Sequence, residues 1–206
     1  RSMNIIGLDF DNTLIIYDHL FKKIALEKNL INESFPANKI LIRNQLRERN
    51  LDKLFTRMQG EVYGNRIKEA EAANGMLNKL KELKENYRIV IVSHKTKFPY
   101  SGEKFNLREA AVKWLEKNHF FDENGINMCR EDVYFESTKE GKVDKIKSLG
   151  CNYYIDDLPE ILEMLPNGIS RILYDRHNTH DELPRICRIN EWSQIILDID
   201  GRIQLL

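Results

Sequence analysis

Three short apolar segments that stop abruptly at polar residues constrain the fold of this chain more than any other feature. The segments and the residues that end them are 4–8 with Asp9, 87–92 with Ser93, and 152–155 with Asp156 and Asp157. Short apolar runs of this kind are typical of buried strands. Because ligands collect outside the carboxyl ends of the strands in an open parallel sheet, the three polar ends predict one shared site.

Helical segments alternate with these strands along most of the chain. Further strands are predicted at 132–135 and 171–174, and helices at 75–85, 107–117, 142–149, 159–165 and, as a last short helix, 190–197. This alternation favours a parallel sheet covered by helices on both faces. A chain of 206 residues is long enough for one such core and a modest insertion. The predicted fold class is therefore α/β, with a Rossmann-like parallel sheet sandwiched by helices.

Residues 15–72 interrupt the alternation, because nothing in them resembles a strand. Apolar spacing and helix-start signals predict three helices, at 17–30, 34–49 and 51–63. A connection of this length is not an ordinary loop, so it predicts an inserted helical subdomain that covers the strand ends. The predicted domains are a core of residues 3–14 and 73–206 and a helical cap of residues 15–72.

Charge and hydropathy exclude several classes of partner. The 32 basic residues balance 32 acidic ones, so the basic excess typical of nucleic-acid binding is missing. No apolar run approaches the roughly 20 residues of a membrane span, and the start of the sequence has no signal-peptide pattern. We therefore expect a cytoplasmic protein with no nucleic-acid partner, no membrane and no obligate protein partner. Arg1 and Ser2, ahead of Met3, are interpreted as a remnant of an expression vector.

Residues 9–14, DFDNTL, place two carboxylates two positions apart at the end of the first strand. Side chains alternate along a strand, so Asp9 and Asp11 face one cavity while Phe10 turns into the core. Hydrolysis of a phosphate ester needs a nucleophile and a general acid for the leaving oxygen. Asp9 is the candidate nucleophile. Asp11 is the candidate acid, which protonates the leaving alkoxide and then accepts a proton from the attacking water.

A dianionic phosphate would be repelled by these carboxylates unless a hard cation lay between them. Magnesium prefers an oxygen shell, and Asp156 and Asp157 complete such a shell. The candidates for contact with the phosphate or the rest of the substrate are Asn12, Thr13, Ser93 and His94. Ser93 can donate a hydrogen bond to a phosphoryl oxygen. His94 either joins it in the site or lies on the surface, where loops carry most exposed polar groups.

A lysine is also needed, because the nucleophile and the phosphate must be neutralised together. Lys139, Lys142 and Lys145 recur at helical spacing, which is also typical of a solvated helix face. Lys142 is favoured because it opens the helix that leads into the acidic strand.

Taken in order, these residues resemble the four motifs of the haloacid dehalogenase-like (HAD) hydrolases. The motifs are an acid-x-acid-x-Thr strand end, a Ser or Thr strand end, a lysine and an acidic pair, represented here by Asp9, Asp11 and Thr13, by Ser93, by Lys142, and by Asp156 and Asp157. The resemblance runs from Met3 to about Asp175. It implies a magnesium ion held by Asp9, by the backbone carbonyl of Asp11 and by one acid of the final pair. It also implies that the helical insertion is a small cap that selects substrates.

Three further segments resemble a bacterial subgroup of this family that is associated with surface-glycan assembly. They are 93–96 (SHKT), 135–139 (FESTK) and 154–160 (YIDDLPE). This resemblance implies a role in surface polysaccharide precursor metabolism.

Together these features predict a Mg²⁺-dependent phosphatase that hydrolyses a small phosphomonoester, such as a sugar or amino-alcohol phosphate, through an aspartyl-phosphate intermediate. Transfer of the phosphoryl group to a sugar hydroxyl instead of water is an alternative outcome of the same chemistry. A dehalogenase is disfavoured because it would not need the acid at Asp11. A receiver-like signalling module is disfavoured by the long insertion, and a catalytically idle phosphoryl-binding scaffold by the presence of every expected catalytic residue type.

Overall fold

The computed structural model describes residues 3–206, so Arg1 and Ser2 lie outside the described residues. The chain divides into two compact units, of which the first contains residues 3–14, 72–95 and 118–206 and the second contains residues 15–71 and 96–117. The strands are β1 Asn4–Leu8, β2 Ile15–Ile16, β3 Glu71–Ala72, β4 Tyr87–His94, β5 Val133–Glu136, β6 Tyr153–Asp156, β7 Ser170–Tyr174, β8 Ile186–Ile189, β9 Ile195–Leu197 and β10 Ile203–Leu205. The helices are α1 Asp18–Glu27, α2 Lys39–Glu48, α3 Asp52–Tyr63, α4 Met76–Lys84, α5 Leu107–Lys117, α6 Lys139–Leu149 and α7 Pro159–Met164, with 3₁₀ turns at Ile67–Glu69, Arg130–Asp132 and Trp192–Gln194.

The first unit is built around a six-stranded sheet in the order β5-β4-β1-β6-β7-β8. Each neighbouring pair of strands is parallel, and helices α4, α6 and α7 pack against the sheet. This architecture confirms the predicted α/β class with a Rossmann-like parallel sheet flanked by helices. Strand β1 lies between β4 and β6, so the three strands predicted to carry the polar ends are adjacent.

The strands that carry the polar residues are nearly continuous apolar runs, as expected for strands covered on both faces. In β4, every residue from Ile89 to Ser93 is buried. Gly7 of β1 permits close packing against β6, because a Cβ atom there would lie 2.8 Å from Cδ2 of Tyr154. The Tyr154 hydroxyl donates a hydrogen bond of 2.6 Å to the Val92 carbonyl of β4. These buried contacts fix the three strands relative to one another.

The second unit contains helices α1, α2, α3 and α5. Helix α2 begins at Lys39, later than the sequence predicts, because the Asn38 side chain caps it and accepts a hydrogen bond of 3.1 Å from the Leu41 N–H. The core of the unit includes the stacked rings of Phe21 and Phe55, whose centroids are 5.3 Å apart. The three helices predicted in the insertion are therefore present.

Helix α5 belongs to this second unit, although the predicted boundary placed all of residues 73–206 in the core. The Trp114 indole of α5 donates a hydrogen bond of 3.0 Å to the Ala70 carbonyl. The helix also packs against α3 and the 3₁₀ turn Ile67–Glu69. Because its apolar face is turned to the helical insertion, residues 96–117 group with the insertion and not with the sheet.

The C-terminal segment differs from the short helix predicted at 190–197. It forms a 3₁₀ turn followed by β9, which pairs antiparallel with β10. Asp198 holds the reversal between them, because its Oδ1 accepts hydrogen bonds from the backbone N–H groups of Asp200 at 2.9 Å and Arg202 at 2.8 Å. The β-branched residues Ile195 and Ile196 favour the strand over a helix. Strands β2, β3 and β8 are also missing from the sequence prediction.

Among residues 3–206, no helix combines the length and the apolar character that crossing a membrane requires.

Candidate active site

Asp9 lies directly after β1, at the carboxyl end of the sheet. Its backbone N–H donates a hydrogen bond of 2.9 Å to the Ile155 carbonyl of β6, which ties the residue to the neighbouring strand. The side chain is buried, and its Oδ1 accepts hydrogen bonds from Lys142 Nζ at 2.9 Å and from Ser93 Oγ at 3.2 Å. Three chain segments that are distant in sequence therefore meet at one carboxylate oxygen.

Lys142 reaches this carboxylate because of where helix α6 begins. Thr138 caps the helix, and its Oγ1 accepts a hydrogen bond of 2.9 Å from the Gly141 N–H. The helix therefore begins at Lys139, earlier than the sequence predicts, and Lys142 follows on its first turn. The buried Lys142 Nζ donates a second hydrogen bond, of 2.8 Å, to Oδ2 of Asp156.

The structure distinguishes Lys142 from the other two lysines with the same helical spacing. Lys139 forms an exposed ion pair with Glu160, at 2.8 Å. Lys145 lies over the ring of Tyr134, with Nζ 5.0 Å from the ring centroid. Lys142 is the lysine whose ammonium contacts the candidate nucleophile.

Asp156 and Asp157 follow each other at the end of β6. Asp156 Oδ1 accepts a hydrogen bond of 2.9 Å from the Leu158 N–H. The Thr13 hydroxyl lies 3.5 Å from Asp157 Oδ1 and 3.4 Å from Asp9 Oδ2, so it links the two acidic segments. One carboxylate oxygen from each of Asp9, Asp156 and Asp157 lies within 4.8 Å of the others. This arrangement of hard oxygen donors suits a divalent cation such as Mg²⁺.

The buried charges shift the pKa values of the cluster in opposite directions. Burial pushes the pKa of Asp9 upward, but the charge and hydrogen bond of Lys142 outweigh it, and the pKa of Asp9 is lowered. Burial and the charge of Asp9 raise the pKa of Asp156 to about 6. Burial and the charges of Asp9 and Asp156 raise the pKa of Asp157 well above its usual range. Asp9 is therefore held ionised, whereas at the acidic pair burial and carboxylate repulsion outweigh the charge of Lys142.

Lys95 is a residue of the site that the sequence prediction missed. It is buried, and its Nζ lies 3.1 Å from Oδ1 and 3.0 Å from Oδ2 of Asp11. The signal that could have revealed it is its spacing. Lys95 stands two positions after Ser93, as Asp11 stands two positions after Asp9, so both pairs project towards the same side of the sheet edge.

His94 and Asn12 were also predicted to contact the substrate, and each makes a contact with a residue outside the acidic cluster. Strand β4 continues through His94, and the His94 Nε2 lies 3.0 Å from the Ser137 carbonyl oxygen. Asn12 adopts a left-handed backbone conformation with φ of 62° directly after Asp11. Its carbonyl accepts a hydrogen bond of 3.4 Å from Arg176 Nη1. Asn12 therefore turns the chain at the end of the motif, and the His94 imidazole contacts the backbone after β5.

Comparison with solved structures reveals the same architecture elsewhere. A haloacid dehalogenase-like family hydrolase from Xanthomonas campestris matches with a TM-score of 0.52 at 10% sequence identity, over 94% of this chain and 92% of that chain. The candidate HAD-hydrolase YfnB from Bacillus subtilis, whose structure is bound to magnesium, gives a TM-score of 0.55 at 10% identity over 94% and 96% of the two chains. A dehalogenase gives a TM-score of 0.53 at 15% identity over 93% and 95%.

Comparison of sequences, unlike comparison of structures, identifies no relative. Among protein-family models none matches the chain, and no curated protein sequence matches it. At identities this low, the structural similarity establishes a shared fold but not a shared reaction. Because the matches extend over nearly the whole length of each chain, the chain adopts the haloacid dehalogenase-like fold.

Proposed function

We propose that this chain is a Mg²⁺-dependent phosphatase that hydrolyses a small phosphomonoester through an aspartyl-phosphate intermediate. The observation that supports it most directly is the Asp9 carboxylate. It is buried at the end of β1 and contacts both Lys142 and Ser93, at 2.9 Å and 3.2 Å. A carboxylate whose pKa is lowered stays ionised at neutral pH and is available as a nucleophile.

The reaction proceeds in two displacements at phosphorus. In the first, an Asp9 oxygen bonds to phosphorus, the bond between phosphorus and the leaving oxygen breaks, and Asp11 gives its proton to that oxygen. In the second, water attacks the aspartyl-phosphate, Asp11 takes a proton from the water, and the Asp9 carboxylate is regenerated with release of phosphate. The Lys142 ammonium and the Ser93 hydroxyl are donors that can stabilise the transferring phosphoryl group.

Magnesium fits the donor set of this site. The residues that would hold it are Asp9, Asp11, Asp156 and Asp157. When bound, the ion offsets the negative charge of the carboxylates and of the phosphoryl group. The raised pKa values of Asp156 and Asp157 support this assignment, because burial and the repulsion between the carboxylates disfavour their ionised forms and a bound cation would offset that repulsion. Magnesium bound to the B. subtilis protein of the same fold supports it as well.

The proposed substrate is a small sugar phosphate, amino-alcohol phosphate or similar metabolite, possessing one phosphomonoester group. Because basic and acidic residues are equal in number, the chain has no excess of positive charge to attract a polyanion. The segments that resemble the surface-glycan subgroup connect this substrate with polysaccharide precursor metabolism. A phosphotransferase that passes the phosphoryl group to a sugar hydroxyl is the second candidate within the same chemistry.

Dehalogenation is a further candidate because a dehalogenase has the same fold. A halide ion leaves without a proton, so that reaction has no use for an acid beside the nucleophile. In this chain Asp11 is held by Lys95, with both of its oxygens within 3.1 Å of the ammonium. A second carboxylate, held by Lys95 two positions after Asp9, favours phosphate ester hydrolysis.

The test is phosphate release from a panel of sugar and amino-alcohol phosphates, with and without Mg²⁺. The wild type is compared with Asp9→Asn and Asp11→Asn, and Asp144→Asn serves as a control because Asp144 is an exposed aspartate of α6. We expect Mg²⁺-dependent turnover that Asp9→Asn abolishes and that Asp11→Asn lowers by about 10²–10⁴-fold. Magnesium binding without turnover of any ester would instead favour a phosphoryl-binding scaffold. Phosphate release only in the presence of an added sugar would favour the phosphotransferase.

A further inference from the structure

We infer that Lys95 is a positioning residue that holds the Asp11 carboxylate in the orientation needed for proton transfer to the leaving oxygen. The inference rests on the proposed function, because it assigns to Lys95 a part in the step that Asp11 performs there. It adds a second lysine to the site with a task different from that of Lys142.

The first support is the geometry of the contact. Lys95 Nζ lies almost equally far from the two Asp11 oxygens, at 3.1 Å and 3.0 Å. A cation held by both oxygens fixes the plane of the carboxylate as well as its direction. The Asp11 side chain is 25% exposed, whereas the Lys95 side chain is 3% exposed. Lys95 thus provides a buried cation for a carboxylate that is partly open to water.

The second support is that Lys95 itself is rigidly held. Its backbone N–H donates a hydrogen bond of 2.9 Å to the Glu136 carbonyl of β5. Its ammonium lies 5.5 Å from the ring centroid of Phe10, the residue between the two catalytic aspartates. A lysine is seldom this buried unless its charge is paired. Lys95 therefore acts as a fixed anchor for Asp11 and not as a mobile surface cation.

The third support is that the two buried lysines contact different carboxylates. Lys142 contacts Asp9 and Asp156, the inner carboxylates. Lys95 contacts Asp11, whose carboxylate is the more exposed. The nucleophile and the acid thus have separate cationic partners, and each can be perturbed without removing the partner of the other.

The chemical consequence is a dependence on the leaving group. When an alkyl phosphate is cleaved, the leaving alkoxide needs the proton from Asp11 as the bond to phosphorus breaks. When p-nitrophenyl phosphate is cleaved, the leaving phenolate is stable without that proton. In the first displacement, a residue that orients Asp11 should therefore matter for the alkyl ester and hardly for p-nitrophenyl phosphate. The second displacement, in which Asp11 takes a proton from water, is the same for both esters.

The experiment measures the rate of alcohol or phenol release in the first turnover, which reports the first displacement, together with KM. It compares benzyl phosphate and p-nitrophenyl phosphate, which share an aromatic ring but differ in leaving-group basicity. We expect Lys95→Met to lower this first-turnover rate for benzyl phosphate by about 100-fold, as a misplaced catalytic group does, with little change in KM. The first-turnover rate for p-nitrophenyl phosphate should stay nearly unchanged. Lys147→Met is the control, because Lys147 is an exposed lysine of α6.

Two further variants test whether Lys95 acts through Asp11. In the Asp11→Asn background, Lys95→Met should cause no additional loss, because the group it positions is already disabled. Lys95→Arg keeps a cation of different shape and should recover part of the benzyl phosphate activity. If Lys95→Met does not fold, Lys95→Arg carries the comparison alone, with a smaller loss confined to benzyl phosphate.

Equal losses of the first-turnover rate for both esters, or a rise in KM alone, would show that Lys95 binds the phosphate and would overturn the inference. Losses that multiply in the double variant would overturn it too. Wild-type turnover of the esters together with either result would leave the proposed function intact. Failure of the wild type to hydrolyse any ester would overturn the proposed function and this inference together.

Discussion

This chain contains two clusters of basic and acidic side chains that differ in burial and in the direction in which the pKa of a carboxylate is shifted. In the core unit, Lys142 contacts Asp9 and Asp156 at 2.9 Å and 2.8 Å, and all three side chains are buried. In the helical unit, Arg66 contacts Glu27 and Glu69, and Lys23 contacts Glu69 at 2.6 Å; we call these four residues the Arg66 network. Its members are partly exposed to water, from 22% for Arg66 to 56% for Lys23.

The pKa values of Glu69 in the Arg66 network and Asp156 in the buried cluster are shifted in opposite directions. In the Arg66 network, hydrogen bonds from Arg66 and Lys23 lower the pKa of Glu69 to about 2. In the core cluster, burial and the charge of Asp9 raise the pKa of Asp156 to about 6. In the Arg66 network these hydrogen bonds outweigh desolvation, whereas in the buried cluster desolvation and carboxylate repulsion outweigh the charge of Lys142 at Asp156. An ion-pair network alone is therefore no sign of function, but a buried one with a charge deficit, here three carboxylates and one ammonium, suits a divalent cation.

Removal of the cation from each cluster should give the largest difference. We expect Lys142→Met to lower turnover by about 10³-fold, since it removes a donor to the reacting group. It also leaves Asp9 and Asp156 as buried carboxylates without their ammonium, which should cost about 3–5 kcal/mol of the free energy of unfolding in the absence of Mg²⁺. Urea unfolding and phosphate release measure the two effects. A variant as stable and as active as the wild type would contradict the account of the cluster.

Magnesium should affect the stability of the core cluster in a pH-dependent way. The pKa of Asp156 is raised from 3.8 to about 6, so the metal-free folded state binds protons more readily than the unfolded chain between these values. The contribution of Asp156 to stability without metal therefore decreases as pH rises through this window. Ionised carboxylates bind Mg²⁺, so the increase in Tm caused by Mg²⁺ should be larger at about pH 7.5 than at about pH 5.

The control for this prediction is Asp157→Asn, which should weaken the Mg²⁺-dependent increase in Tm at both pH values. Asp144→Asn, an exposed substitution on α6, should leave it unchanged. An increase in Tm that is equal at both pH values would separate magnesium binding from the titration of Asp156, and one that is undiminished in Asp157→Asn would exclude Asp157 as a ligand of the ion.

The sequence was sufficient to predict five of the six strands of the parallel sheet, all except β8, and most residues of the cluster, for a physical reason. Buried parallel strands are short apolar runs, and the residues that end them lie at one edge of the sheet. The contacts of Ser93 and Lys142 with Asp9 follow from this rule and from the helix start at Thr138. The chemical roles of these residues remain predictions until the variants are measured.

Other features depend on tertiary contacts that a linear pattern does not contain. The apolar face of α5 packs against α3 and the 3₁₀ turn Ile67–Glu69, and the apolar spacing of the helix does not show which elements that face will meet. Lys95 follows an apolar strand, and although its spacing from Ser93 places it at the sheet edge, that spacing does not show that its side chain is buried against Asp11. The C-terminal hairpin depends on one turn centred on Asp198, which apolar periodicity does not reveal.

The smallest change in stability is expected for a substitution in the Arg66 network. Arg66→Met should lower Tm by at most about 4 °C, because partly exposed ion pairs contribute little to stability. The decrease should shrink in high salt, since exposed charges are screened, and neither turnover nor the Mg²⁺ response should change. Thermal unfolding at low and high salt, with phosphate release in parallel, tests this. A loss of activity in Arg66→Met without a change in Tm would mean that this network serves the reaction and that charge deficit alone does not distinguish the functional cluster.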